Sequence, residues 1–137
     1  YRHGAGTIWR LDGENKIENQ EKLNFLLVLS WKIGRDIING VAALHDKSIL
    51  HRDIKPANIF FGENDIAKIG DLNVALLMKD TLAYTQTGTP YYASPEVWSN
   101  EPYAFECDVW SIGCVLYEMC CLRKPSKQKT YKNYINE

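Results

Sequence analysis

The eight residues from His51 to Asn58 read His-Arg-Asp-Ile-Lys-Pro-Ala-Asn, and no other stretch restricts the chain so tightly. Side chains alternate along an extended loop, so Asp53 and Lys55 point to one side and Ile54 to the other. Ile54 then anchors the loop in a core. A carboxylate at position 53 accepts hydrogen bonds and can orient a nucleophile. Asn58 adds a polar amide to the same short segment. A lone Asp here would read as a capping or turn residue. The full set at these offsets instead calls for a polar site in front of a packed core.

Composition sets the outer bounds. A length of 137 residues corresponds to one domain. Hydrophobic residues make up 45% and charged residues 24%, which suits a soluble globular domain and argues against disorder. The net charge of -1 leaves no basic field to attract nucleic acid. Any work on phosphate must therefore come from a local site. The cysteines, Cys107, Cys114, Cys120 and Cys121, lack the spacing of a disulfide framework or a zinc site. They read as thiols in a reducing compartment. The apolar run Phe25 to Leu29 is too short to span a bilayer. No signal peptide is visible, and the first residue is Tyr1 rather than methionine.

Residues 1–22, with Gly4, Gly6 and Gly13, read as connector and loop. From 23 to 46, Ile33, Ile37, Val41 and Leu44 form one stripe at helical spacing, with Gly34 and Gly40 weakening the helix. Ser48–Leu50, Ile59–Phe61 and Ala67–Ile69 read as short strands, and Gly62 to Asp65 as a hairpin turn. The stretch from Asp71 to Glu96 has no sustained period and reads as a long ordered loop, usually a functional one. Within it Ser94-Pro95-Glu96 is a helix start, with Ser94 as N-cap and Pro95 at N1. A second long helix is expected near 104–121, with Val109, Ile112, Leu116 and Met119 as its apolar stripe and Trp110 in the core. The tail from Arg123 to Glu137 shows no clear period.

The segment 51–58 resembles the catalytic loop of the eukaryotic protein kinases. That resemblance implies Asp53 as the base for the substrate hydroxyl, Lys55 as positive charge on the transferred phosphate and Asn58 as a magnesium ligand. Eighteen residues beyond Asp53 (71 minus 53), Gly70-Asp71-Leu72-Asn73 resembles the Asp-Phe-Gly element, in which Asp71 would chelate magnesium. Leu72 stands where an aromatic residue is usual and Asn73 where glycine is usual. Leu keeps an apolar anchor, and Asn tolerates positive φ best among the non-glycine residues, so the turn is expected to survive at Asn73.

A third string, Gly88-Thr89-Pro90-Tyr91-Tyr92-Ala93-Ser94-Pro95-Glu96, resembles the end of a kinase activation segment, with Ser-Pro-Glu in place of Ala-Pro-Glu. In the family Thr89 bridges Asp53 and Lys55, an arrangement of serine/threonine rather than tyrosine kinases. Glu96 has a structural role there, but the arginine that pairs with it has no counterpart here. Thr85, among Thr81, Tyr84 and Thr87, matches the activating phosphosite, and a phosphate on it would pair with Arg52. The fourth string, Asp108-Val109-Trp110-Ser111-Ile112-Gly113, resembles the start of the central helix, whose Asp108 hydrogen-bonds the catalytic-loop backbone and holds His51 and Arg52. The wording Asp-Leu-Asn with Gly-Thr-Pro-Tyr-Tyr-Ala-Ser-Pro-Glu-Val-Trp is similar to the NIMA-related group.

The resemblance implies an α+β protein-kinase-like fold: a mainly helical large lobe with short β-hairpins and the small lobe absent. Residues 1–22 would be hinge and connector, 23–70 helix and catalytic loop, 71–96 the activation segment, 97–125 the central helix region and 126–137 a divergent tail. No glycine-rich loop or Val-Ala-Ile-Lys strand precedes the catalytic loop. Half of the nucleotide pocket would then be missing, and the isolated 137-residue chain is expected to have little or no kinase activity. The implied function is ATP-dependent phosphorylation of protein serine or threonine, with ATP and Mg²⁺ as cofactors. The alternative is a catalytically silent kinase-like scaffold or a truncated gene product. The expected partner is a protein substrate with a Ser/Thr acceptor, with no nucleic acid and no membrane; the oligomeric state stays open. The expected placement is cytoplasmic, with nuclear and cytoskeletal sites open.

Overall fold

A computed structural model describes residues 20–78, 82, 83, 85 and 88–125, with side chains from 23 onward. Of the expected connector at 1–22, residues 1–19 lie outside the described residues, as do the tail at 126–137 and the loop residues Thr81, Tyr84 and Thr87, whereas Gln20 to Lys22 belong to the first long helix and not to a loop. Two long helices carry the fold: α1, Gln20–His45, and α3, Glu106–Cys121, with a one-turn helix α2, Pro95–Trp98, between them. The strands are short and antiparallel. β2, Ile59–Phe61, and β3, Ala67–Ile69, form the expected hairpin, with Ile59 opposite Ile69. Its turn takes left-handed backbone at Asn64 and Asp65, residue types that tolerate positive φ.

The second pair was not legible. β1, Ile49–Leu50, pairs with β4, Leu76–Leu77, inside the stretch expected to be loop. Two residues are too few to show a period. The long segment is also tied down by an isolated bridge between Ala83 and Tyr103.

The core lies where α1 meets α3 and the β2–β3 hairpin. Ile33, Ile37 and Val41 of α1 pack with Ile54, Ile59, Ala67, Ile112, Val115 and Met119. Three of the four stripe residues expected on α1 are thus buried, and Leu44 is half-buried. Gly34 has a packing reason to be there. A Cβ on it would lie 2.7 Å from a methyl of Leu116, so α1 and α3 approach closely at that point. Apolar residues also continue onto the outer side of α1, where Phe25, Val28 and Trp31 are exposed.

On α3 the expected stripe is corrected. Val109 is 61% exposed, and Val115, not anticipated, is fully buried. Trp110 is only half-buried. The buried face runs through Asp108, Ser111, Ile112, Val115, Glu118 and Met119. With Cys107 also buried, three of these seven are polar or charged, so an apolar-only reading selects a neighbouring register. Each polar member has a partner, as buried polar groups require. Ser111 Oγ donates to the Tyr92 carbonyl at 2.8 Å, and the Tyr92 hydroxyl donates to Glu118 at 2.6 Å. Burial, together with that carboxylate, pushes the Tyr92 phenol well up. Helix α2 starts where expected, with Pro95 at its first position, but no side-chain cap forms at Ser94. The Ser94 hydroxyl is buried without a hydrogen-bond partner.

Gly88 shows how closely the long segment returns to the 51–58 loop. Its φ is +101°, a conformation that disfavours side chains, and a Cβ there would fall 2.6 Å from the Arg52 carbonyl oxygen. A backbone atom cannot swing aside, so only glycine fits.

Two stability outcomes follow, read by urea denaturation. Ile37→Ala should cost about 2–5 kcal/mol, whereas the adjacent Ile38→Ala, at an exposed position, should stay within about 0.5 kcal/mol. Gly88→Ala should cost about 1–3 kcal/mol from backbone strain alone.

Candidate active site

The site is assembled on one buried carboxylate. Asp108 is fully buried in the first turn of α3. Its Oδ2 accepts the His51 main-chain N–H at 2.9 Å, and its Oδ1 accepts that of Arg52 at 2.9 Å. His45 Nε2 lies 2.8 Å from Oδ2 and adds a third contact from the end of α1. The aspartate therefore binds the 51–58 loop to both long helices. Arg52 is held at φ +70°, a conformation uncommon for a non-glycine residue. His45 was not anticipated. It sits in the last turn of α1, where the spacing shows only a helix end.

His51 joins this loop to the Gly70-Asp71 motif. Its fully buried ring faces the Gly70 carbonyl through Nε2 at 3.1 Å. Its Nδ1 accepts the Asp53 N–H at 3.3 Å. That pair of partners selects the tautomer with hydrogen on Nε2. The Gly70 N–H also donates to the Asn58 carbonyl at 2.9 Å, continuing the β2–β3 ladder. The hairpin thereby returns Asp71 to the loop that carries Asn58. Asp71 itself adopts φ +62°, whereas Asn73 is not among the positive-φ residues. The left-handed turn thus falls two residues earlier than expected. Leu72 is exposed rather than acting as a buried anchor. Asp71 Oδ1 accepts the Asn73 N–H at 3.4 Å and its side chain remains exposed.

Asp53, Lys55 and Thr89 form a closed polar triangle. Lys55 Nζ donates to Asp53 Oδ2 at 2.6 Å and to Thr89 Oγ1 at 2.9 Å. The Thr89 hydroxyl donates to Asp53 Oδ1 at 2.8 Å. Ile54 points the other way and is buried in the core, as alternation demands. Asn58 is buried, and its Nδ2 donates to the Asp53 carbonyl at 2.8 Å and to Oδ2 at 3.1 Å. Burial pushes the Asp53 carboxyl up, but it is outweighed by the hydrogen bonds from Lys55 and Thr89, the Lys55 charge and the Asn58 amide. The net result lies below the ordinary carboxylate value. Asp53 is thus held as an anion, an acceptor on both oxygens.

The remaining expected residues lie around this centre. Arg52 Nε donates to the Val74 carbonyl at 2.6 Å. Thr85 is exposed, and its carbonyl accepts a hydrogen bond from the Tyr103 hydroxyl at 2.5 Å. Glu96 stands in the first turn of α2, and no ion pair to it forms among the described residues. The cysteines are free thiols; burial pushes those of Cys107 and Cys114 up, so neither is a ready nucleophile. An apolar groove of about 290 Å³ between α1 and α3, lined by Leu27, Trp31, Ile38 and Leu116 among others, shares no residue with the polar triangle. Among the described residues no helix is long and apolar enough to cross a membrane.

Comparison with known proteins agrees with this arrangement. The family model for the protein kinase domain matches residues 15–137. Serine/threonine-protein kinase Nek3 of Mus musculus is 44% identical over 110 residues, covering 79% of this chain and 21% of the relative. Serine/threonine-protein kinase Nek1 of Mus musculus is 41% identical over 137 residues, 98% of this chain and 11% of the relative. G2-specific protein kinase fin1 of Schizosaccharomyces pombe is 48% identical over 87 residues, 62% of this chain and 12% of the relative. The chain thus spans about a fifth or less of the length of these curated relatives. It belongs to the protein kinase family and resembles the NIMA-related serine/threonine kinases within it.

Proposed function

We propose that the protein transfers the γ-phosphoryl group of ATP to a serine or threonine hydroxyl of a protein substrate. The observation that carries this reading is the Asp53–Lys55–Thr89 triangle around an ionised carboxylate. Asp53 accepts the proton-bearing side of the incoming hydroxyl and aligns its oxygen for attack. Lys55 places its ammonium where negative charge gathers on the transferred group. Thr89 holds both side chains in register, so little reorganisation is needed as the reaction proceeds.

The residues present also fit a nucleotide-bound magnesium ion. Asn58 commits its amide nitrogen to Asp53, which leaves the amide oxygen for a cation. Asp71 offers an exposed carboxylate on the adjoining turn. Among the described residues no group of three or more His, Cys, Asp or Glu is placed to form a dedicated metal cage. A sparse set of oxygen donors suits magnesium, which keeps waters and takes phosphate oxygens as further ligands. When bound, the ion supplies positive charge to the β- and γ-phosphates.

Thr85 is the proposed regulatory site. It is exposed on the segment that returns to the catalytic loop. A phosphate there would add about -1.5 to -2 charge within reach of the Arg52 side of the loop.

Two outcomes test the reading. In the full-length protein, Asp53→Asn should lower kcat for a protein acceptor about 100- to 10 000-fold. An unchanged rate would remove Asp53 from the chemistry. The second concerns pH. Because the folded Asp53 carboxyl is depressed, its contribution to stability is present above the unfolded value, about 3.9. It is lost as pH falls through the lower folded value. A carbon-13 titration of the Asp53 carboxyl should give a midpoint below 3.8. A midpoint above that would show that burial outweighs Lys55 and Thr89.

A further inference from the structure

Tyr103 stands just ahead of α3 and outside every motif in the sequence. It is buried, and it touches the activation segment in two ways. Its backbone pairs with Ala83 in both directions: the Ala83 N–H donates to the Tyr103 carbonyl at 2.6 Å, and the Tyr103 N–H to the Ala83 carbonyl at 3.0 Å. Its side chain then reaches two residues further along the segment. There the hydroxyl donates to the Thr85 carbonyl at 2.5 Å. The same hydroxyl oxygen lies 3.5 Å from Arg52 Nη1, positioned to accept from the guanidinium.

A tyrosine hydroxyl has one proton to donate and lone pairs to accept with. Here the proton goes to Thr85 and the acceptor side faces Arg52. A buried hydroxyl would otherwise be costly, so the contacts fix its direction. Arg52 supplies the other half of the arrangement. Its main-chain N–H is bound by Asp108, and its Nε donates to the Val74 carbonyl at 2.6 Å, near the start of the segment. One guanidinium therefore meets the beginning of the activation segment directly and its later part through Tyr103.

We infer that Tyr103 is a positioning residue, whose hydroxyl fastens the Thr85 region of the activation segment to Arg52 of the catalytic loop. The hydroxyl serves as a neutral tether at the place where a phosphate on Thr85 would supply a charged one. Tyr103 touches no reacting atom. Its effect on catalysis passes through the segment that ends in Gly88 and Thr89, so this kinetic consequence rests on the kinase reading, whereas the tether itself does not.

The test uses Tyr103→Phe in the full-length protein, which keeps the buried ring and removes only the hydroxyl. Limited chymotrypsin digestion, with the products mapped by mass spectrometry, reads the tether without needing kinase activity. Cleavage after Leu82 or Tyr84 should accelerate about three- to tenfold, the scale of one lost hydrogen bond. Cleavage after Leu72 or Leu76 should not change. Equal cleavage of wild type and variant after Leu82 and Tyr84 would overturn the inference. The kinetic reading is a fall in kcat of similar size with KM for ATP unchanged, and the fall should disappear in protein phosphorylated at Thr85. A deficit that persists in the phosphorylated protein would mark a merely structural effect and overturn the link from the tether to catalysis, while the digestion decides the tether itself. If Tyr103→Phe fails to fold, Arg52→Lys leaves Tyr103 in place and removes the other end of the link. In that variant, cleavage after Leu82 or Tyr84 that accelerates more than cleavage after Leu72 or Leu76 supports the inference, and no acceleration, or equal acceleration at both places as loss of the Val74 contact alone would give, overturns it.

Discussion

The site depends on a carboxylate that solvent does not reach. An isolated charge at the position of Asp108 would be strongly unfavourable. It is sustained by two main-chain N–H groups, by His45 and by its place in the first turn of α3, where the helix dipole favours negative charge. The interaction works in both directions. The loop amides satisfy the charge, and the charge holds Arg52 in a backbone conformation that it would seldom adopt alone. With those two residues fixed, the His51 ring is aimed at Gly70 and the Arg52 side chain at Val74. The placement of Asp71 and of the activation segment follows from these contacts.

Around that post the protein uses polar contacts where a simpler core would use apolar ones. Ser111 and Glu118 of α3 hold Tyr92 through its carbonyl and its hydroxyl, and Tyr92 lies three residues past Thr89. The end of the activation segment is therefore attached to the same helix that fixes the catalytic loop. Gly88 closes the arrangement by letting the segment come into contact with the Arg52 carbonyl. A network of this kind specifies one arrangement because each buried polar atom has few acceptable partners. It also accounts for the charge state at the centre. Asp53 is partly withdrawn from water, and Lys55, Thr89 and Asn58 more than offset that withdrawal.

The catalytic loop, the hairpin, both long helices and the positions of Asp53, Lys55, Asn58, Asp71, Thr89 and Asp108 could be read from residue order. The helices, the hairpin and the opposed sides of Asp53 and Ile54 rest on local rules of helical spacing, turn residues and alternation in an extended loop, whereas Asn58, Asp71, Thr89 and Asp108 were legible through the resemblance of their strings to the protein kinases. The errors share a different origin. Val109 was placed on the buried face of α3 because apolar character was the only guide, whereas the real face includes Asp108, Ser111 and Glu118. A buried polar residue looks like a surface one until its partner is known. Ser94 has the composition of a capping residue, yet its hydroxyl makes no cap. The left-handed turn falls on Asp71 rather than Asn73, since propensity ranks residue types but does not decide which of two neighbours turns.

The sequence by itself determined the family, the two long helices, the β2–β3 hairpin and the chemical groups available to the site, because each is written in residues a few positions apart. Tertiary structure decided the rest. The pairing of β1 with β4, the His45 contact to Asp108, the Tyr92–Glu118 bond and the link from Arg52 through Tyr103 to Thr85 all join distant residues. No spacing rule reports them. Such contacts rest on two packed clusters, one that includes Ile33, Ile37, Val41 and Val115 and another of Leu50, Ala83, Val97, Tyr103 and Cys107, and this packing sets which polar atoms come within bonding distance.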